Sequence, residues 1–271
     1  MPLTNPPYVL KKILKTNTTY EMEKDRYYVI RKIGTDVSAK VTVKVDGIPV
    51  ADIFNLIAPI AKVRTNILGP RDLGEYFIIV PPERKLLFES TGSGNVYIEG
   101  DLIVLSPGEA IPSEHLTRYN TYATRKITYA DVSVTIGASW PAGQEIKVAD
   151  LTPPTIEDWV FDDFSGVSAT GLSATQTYGQ INLKLYYDGK PLDLLVATAG
   201  PHGIETLKMP LPPTTDTEFE PFTFRDKPIM VVGGHTLTVT AINVSGSALS
   251  AASGANIAVR FVAVYKRIIK A

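Results

Sequence analysis

Along much of the chain, apolar and polar residues alternate one by one. Val41-Thr42-Val43-Lys44-Val45 is the clearest run. A period of two puts the valines on one face of a strand and Thr42 and Lys44 on the other. The run stops at Asp46-Gly47 and resumes as Ile48-Pro49-Val50-Ala51-Asp52-Ile53. An Asp-Gly pair between two apolar runs predicts a tight hairpin. The same order returns as Leu183-Lys184-Leu185-Tyr186-Tyr187, Asp188-Gly189, then Lys190-Pro191-Leu192-Asp193-Leu194-Leu195. The chain is organised around these two hairpins, and the loose likeness of their surroundings suggests a duplication.

Further strands are predicted at residues 18–22, 26–33, 76–80, 85–89, 95–99 and 102–105, then at 127–136, 145–148, 218–224, 229–232, 236–244 and 256–268. Gly and Pro clusters separate them, as turn chemistry requires. Loops are expected at 66–74, around Gly69-Pro70, and at 165–178, rich in Ser, Ala, Thr and Gly. Gly200-Pro201 and Pro210 to Pro213 repeat the punctuation of Gly69-Pro70 and Pro81-Pro82. Helical spacing is scarce. Leu10, Ile13 and Leu14 suit one short amphipathic turn in Tyr8–Lys15, and residues 50–60 suit a short helix stopped by Pro59.

Short strands at this spacing predict an all-β fold, an antiparallel β-sandwich of jelly-roll type, in two tandem units. The expected layout is an N-terminal arm (1–17), a first sandwich (18–108), a polar linker (109–126) and a second sandwich (127–271).

Composition narrows the function classes. With 27 Lys and Arg against 28 Asp and Glu, the chain lacks the basic excess of a nucleic-acid binder, so no nucleic acid is expected. With no cysteine, disulfides, thiolate nucleophiles and Cys-ligated zinc are excluded. Glutamine occurs only at 144, 176 and 180, while proline is abundant; this suits a heat-adapted source. The first residues lack a signal-peptide pattern, and no apolar run approaches the ~20 residues of a membrane helix, so membrane insertion is not expected.

No catalytic motif stands out. His115, His202 and His235 are far apart and read as linker or turn residues; no catalytic residue, metal or cofactor is expected. Asn17-Thr18-Thr19 and Asn243-Val244-Ser245 are formal glycosylation sequons. The acidic stretch 157–164, read as a loop, sets Asp158, Asp162 and Asp163 beside Trp159. Carboxylates with a flat ring suit a sugar or a calcium ion, although the spacing matches no calcium loop. Tyr119, Tyr122 and Arg125 combine the residue types that interfaces favour, as do Tyr8, Leu10, Ile13 and Leu14 of the arm.

The two Asp-Gly-x-Pro hairpins, the Tyr8–Lys15 arm and the strand spacing together resemble the jelly-roll structural proteins of tailless icosahedral viruses, especially those of thermophiles. That resemblance implies a non-enzymatic capsid, penton or turret subunit of a virion. Its partners would be further copies or other coat proteins, met through the arm and the loops. Removing residues 1–17 is then expected to weaken assembly and leave monomer melting nearly unchanged. The alternative is a carbohydrate- or receptor-binding module of a cell surface or phage tail, with Trp159 exposed in a glycan patch. A third reading is a glycan-active enzyme with paired carboxylates in a cleft.

Overall fold

A computed structural model of the chain describes residues 5–53, 59–62, 67–174, 180–192, 204–205, 222–223 and 228–270. It is almost entirely β, with several antiparallel sheets packed together, as the alternating pattern requires. The chain divides into two compact units: Met1–Ala61 with Ile67–Tyr129, and Lys62–Asn66 with Ala130–Ala271.

The first unit contains β1 (Tyr8–Lys15), β2 (Thr19–Glu21), β3 (Arg26–Thr35), β4 (Val41–Val45), β5 (Ile48–Ile53), β6 (Pro59–Lys62), β7 (Ile67–Asp72), β8 (Ile78–Val80), β9 (Lys85–Ser90), β10 (Asn95–Val104) and a helix, α1 (Ser113–Asn120). One sheet runs β1-β10-β3-β7-β6, with β8 also on β3; in the other, β5, β4, β9 and β2 follow one another. From Tyr27 to Ile30, strand β3 is buried on both faces. Tyr27 and Val29 pack with Ile79 and Ile103, and this cluster meets Phe77, Ile111 and Tyr119. Gly100 sits at a bulge opposite β3, where a Cβ would fall 1.9 Å from the Val29 carbonyl oxygen. No other residue fits that close approach.

The strand β11 (Arg125–Gly137) begins in the first unit, where Ile127 pairs in parallel with Ala51 of β5. Beneath it, Asp52 is buried and accepts from Lys126 Nζ (2.6 Å), Thr42 Oγ1 (2.8 Å) and Thr128 Oγ1 (2.9 Å). These partners satisfy a charge that would be costly to bury alone.

From Ala130 the chain belongs to the second unit. Its strands are β12 (Ser139–Trp140), β13 (Glu145–Leu151), β14 (Glu157–Thr170), β15 (Ile181–Tyr187), β16 (Lys190–Pro191), β17 (Ile204–Glu205), β18 (Phe222–Thr223), β19 (Ile229–Val231), β20 (Leu237–Asn243), β21 (Leu249–Ser250) and β22 (Ile257–Ile269). A sheet built on β13-β20-β15-β16 faces the long β14-β22 pair. Alternate residues of each side fill the core: Val239 and Ala241 from β20, Leu183 and Leu185 from β15, and Phe261, Ala263 and Tyr265 from β22. Trp140 is fully buried, and its indole N–H donates to the Gln144 carbonyl (2.9 Å).

Both predicted hairpins form. Asp46 and Gly47 have φ of 49° and 79°; Asp188 and Gly189 have 48° and 77°. Two successive positive φ values are those of a type I′ turn, which Asp-Gly tolerates and most other pairs do not. Of the paired punctuation, Gly200-Pro201 and Pro210 to Pro213 lie outside the described residues.

Five expectations are corrected. Tyr8–Lys15 is a strand, not a helical turn, since all eight residues find partners on β10 from Leu102 to Asn95. A spacing of four between Leu10 and Leu14 fits a period of two equally well, and the ladder decides it. The polar "linker" contains α1, whose His115 and Arg118 are buried in the first unit. The acidic segment and the first six residues of the Ser/Ala/Thr/Gly loop form the single strand β14, held by twelve paired positions on β22. Residues 67–72 pair with β3 as β7 instead of looping, and 48–53 form β5 with no helix among its described residues.

Candidate functional site

Strand β1 separates the arm residues by parity. Leu10 and Leu14 turn inward and are buried in their own unit, which removes them from any intersubunit contact. Val9 and Ile13 share the opposite face and are 81% and 66% exposed; Tyr8, at the strand's start, is 57% exposed. The helical reading hid Val9; a period of two places it beside Ile13. Among the described residues β1 has one neighbouring strand, β10; on its other edge the Lys15 N–H donates to the Tyr20 hydroxyl (2.7 Å), and no described strand pairs with the rest.

The lysines of β1 lean back over the sheet. Lys11 Nζ lies 3.8 Å from Glu99, which Lys32 also approaches at 3.9 Å. Lys12 donates to the Tyr28 hydroxyl and Lys15 to Asn95 Oδ1 (2.6 Å). Arg31 and Asp101 close the row at 2.7 Å.

The second predicted interface group, Tyr119, Tyr122 and Arg125, is split by α1 and the turn after it. Tyr122 is buried, and its hydroxyl accepts from the Ile79 N–H and donates to the Ile79 carbonyl. Burial pushes its pKa up. It is a core anchor, not an interface residue. Tyr119 is half-buried and donates to Asp46 Oδ2 (3.2 Å), while Arg125 is exposed. Arg118, read from the sequence as a neighbour of the same interface group, instead lies between the rings of Tyr76 (4.9 Å) and Tyr122 (5.0 Å) and donates to the Phe77 carbonyl (3.0 Å). Its burial lowers its pKa. His115 joins the same core: its Nδ1 meets the Tyr27 hydroxyl at 2.9 Å, and burial depresses its pKa against the opposing pull of Glu114.

The acidic stretch holds its described groups in internal pairs. Trp159 is half-buried on the core side, tilted against Tyr265 at 4.6 Å, and its indole N–H donates to Glu157 (3.1 Å). Glu157 is buried and held by the Arg267 guanidinium, which sets its pKa below the usual carboxylate range. Asp158 pairs with Lys270 (2.8 Å) and accepts from the Gly233 N–H (2.9 Å); Lys270 is the main cause of its lowered pKa. The side chains of Asp162 and Asp163 lie outside the described residues.

His235 contacts Asp188 at 2.6 Å and stacks on Tyr187 at 5.7 Å, bracing the second hairpin. His202 lies outside the described residues. Among the described residues no group of three or more His, Asp or Glu could hold a metal ion. None of the described helices is long and apolar enough to cross a membrane. Both sequon asparagines are engaged: Asn17 exchanges two hydrogen bonds with the Ser90 backbone, and Asn243 is fully buried.

No family model matches the chain, and no curated protein does. Solved structures give loose matches. A cupin 2 conserved barrel domain protein from Leptotrichia buccalis is 12% identical, with 98% of this chain and 86% of that one covered and a TM-score of 0.20. The turret protein A223 of Sulfolobus turreted icosahedral virus is 10% identical, with 98% and 100% covered and a TM-score of 0.20. The protein BuGH86wt, solved in complex with neoagarooctaose, is 9% identical over 96% of this chain and 33% of its own, with a TM-score of 0.22. All three are likenesses among β-rich folds and specify no activity.

Proposed function

We propose that the chain is a non-enzymatic structural subunit of a virion coat, a capsid, penton or turret protein that packs against further copies of itself or other coat proteins. The observation that carries this reading is strand β1. An edge strand of a monomer is normally guarded by charges at its rim. Here Lys12 and Lys15 each donate to a group of their own sheet, while Val9 and Ile13 stand outward beside the largely exposed Lys11, and Tyr8 is exposed at the strand's start. An open ladder edge flanked by apolar side chains suits an added strand or a neighbouring subunit. The internal pairing of Glu157, Asp158 and Trp159 also favours a scaffold over a glycan patch.

Light scattering with negative-stain images tests the reading. Mass that rises with concentration into regular oligomers, sheets or shells, and that falls in Val9→Glu or Ile13→Glu, is the expected result. A monomer at every concentration that is retained on immobilised glycans would replace it with the binding-module reading.

A further inference from the structure

The free edge of β1 has a stop at each end and an open window between them. In an antiparallel ladder, successive residues turn their backbone groups to opposite edges of the strand. The Thr16 N–H reaches the Gly94 carbonyl (3.1 Å) on the β10 side, and the Lys15 N–H reaches the Tyr20 hydroxyl (2.7 Å) on the other. Tyr8, Leu10, Lys12 and Leu14 therefore serve the β10 ladder, while Val9, Lys11 and Ile13 turn their N–H and C=O groups to the free edge. Among the described residues no backbone group bonds to these three on that side. The next position at one end is Pro7, which has no N–H; at the other it is Lys15, whose N–H is taken. Residues 9–13 are thus a short window with three N–H and three C=O groups on offer.

We propose that this window takes an extended acidic strand of a neighbouring subunit, with a carboxylate opposite Lys11 and an apolar side chain two residues to either side of it. The proposal rests on reading the protein as a coat subunit and names the chemistry of what its β1 edge receives. Charge selects the occupant. β1 carries Lys11, Lys12 and Lys15 and no acid. Of the nearby carboxylates, Asp101 is held by Arg31 at 2.7 Å, and Asp36 accepts from Asn95 and Tyr97. Glu99 is shared by Lys11 and Lys32 at 3.8 and 3.9 Å, both beyond hydrogen-bond length. The Lys11 side chain is 70% exposed, so its charge stays open to a partner. Val9 and Ile13 flank it symmetrically on the same face, so the same partner pattern fits in either strand direction.

A second β1 does not fit. About a two-fold axis, the register that uses all three open positions sets Val9 opposite Ile13 of the copy and Lys11 opposite Lys11, and like charges directly opposite are unfavourable. A wholly apolar strand would cover Val9 and Ile13 but leave the Lys11 ammonium beside it without a counter-charge. A carboxylate at that point adds a cross-strand ion pair. Main-chain bonds then supply the affinity and the Lys11 position supplies the selectivity. The two stops hold the docked strand to this window, so the edge accepts one short partner and does not template a growing sheet.

Peptide binding and amide hydrogen exchange on the full chain test this. The probe is the capped peptide Thr-Val-Thr-Glu-Thr-Val-Thr. The controls are the same peptide with lysine in place of glutamate, and the β1 sequence Tyr-Val-Leu-Lys-Lys-Ile-Leu-Lys. In the free chain the amides of Val9, Lys11 and Ile13 should exchange fast and those of Leu10, Lys12 and Leu14 slowly. The glutamate peptide should slow the first set and bind roughly tenfold tighter than either control, a preference that shrinks as salt is raised. Lys11→Glu should reverse the order of the two designed peptides, and Lys11→Gln, which adds no repulsion with Glu99, should bind them alike. If the native chain binds the two designed peptides equally, binds the β1 sequence best, or shows no slowing at Val9, Lys11 and Ile13, the acidic occupant is wrong. The coat reading then still stands if the native mass climbs above 29.5 kDa with concentration. If the peptides behave as expected while the chain stays at 29.5 kDa throughout, the edge site stands and self-assembly is refuted.

Discussion

Replacing Asn243 with alanine should destabilise the second unit by about 2–4 kcal/mol. Asn243 is fully buried at the end of β20. Its Nδ2 donates to the Trp140 carbonyl (2.8 Å) and the Ser247 carbonyl (2.9 Å). Its Oδ1 accepts from the Ser245 N–H (3.0 Å) and hydroxyl (2.7 Å). Ser247 is exposed and Ser245 half-buried, so water can replace much of what those groups lose. The bond to Trp140 lies beside a fully buried side chain. An orphaned carbonyl there costs about 1–3 kcal/mol, and the loosened turn adds about 1 kcal/mol. Both tryptophans, Trp140 and Trp159, belong to the second unit, so their emission during urea unfolding reports that unit alone. A loss of this size lowers the urea midpoint by about 1–2 M. Asn243→Asp should be worse at neutral pH. It sets a carboxylate against two carbonyls, which raises its folded-state pKa above the ~3.9 of the unfolded chain, so its deficit relative to alanine should widen from about pH 4 to pH 7. A midpoint shift below about 0.3 M for Asn243→Ala would refute the reasoning, since it would mean water serves the Trp140 carbonyl as well as the amide does.

Deleting residues 1–17 should lower the melting temperature of the first unit, contrary to the free-arm expectation, because it strips β10 of eight paired residues and removes buried Leu10 and Leu14; calorimetry with an unchanged transition would restore the free arm. Burying the two leucines alone is worth about 3–6 kcal/mol. Gly100→Ala should cost more than about 2 kcal/mol, because its Cβ meets backbone and not a movable side chain; a melt like the native protein's would show that the bulge can shift. Acid should weaken the first unit through His115. Its folded-state pKa is depressed by burial, so the unfolded chain takes up the proton first, and stability falls as pH drops below about 6.5. In His115→Leu, far-UV melts between about pH 5 and 7 should lose that share of the slope; an identical pH profile would contradict it.

The local pattern determined the class and the turns. Valines alternating with Thr42 and Lys44 can be satisfied only by a half-wet strand, and Asp-Gly tolerates two successive positive φ values, so both hairpins were legible without any long-range knowledge. Pairing decided the rest. The residues around Leu10 and Leu14 fit two periods, and only the β10 ladder chose between them. The acidic run 157–164 is polar enough to read as loop, yet β22 supplies partners along it, and Arg267 and Lys270 satisfy Glu157 and Asp158. Tyr122 and Arg118 look like surface residues in a polar segment; they are buried because Ile79, Tyr76 and Phe77, some forty residues earlier, provide backbone groups and rings at the right place. The sequence states which side chains alternate. Which of them face water, as Val9, Ile13 and Met230 do, depends on the neighbour each strand acquires, and that is settled only when distant segments meet.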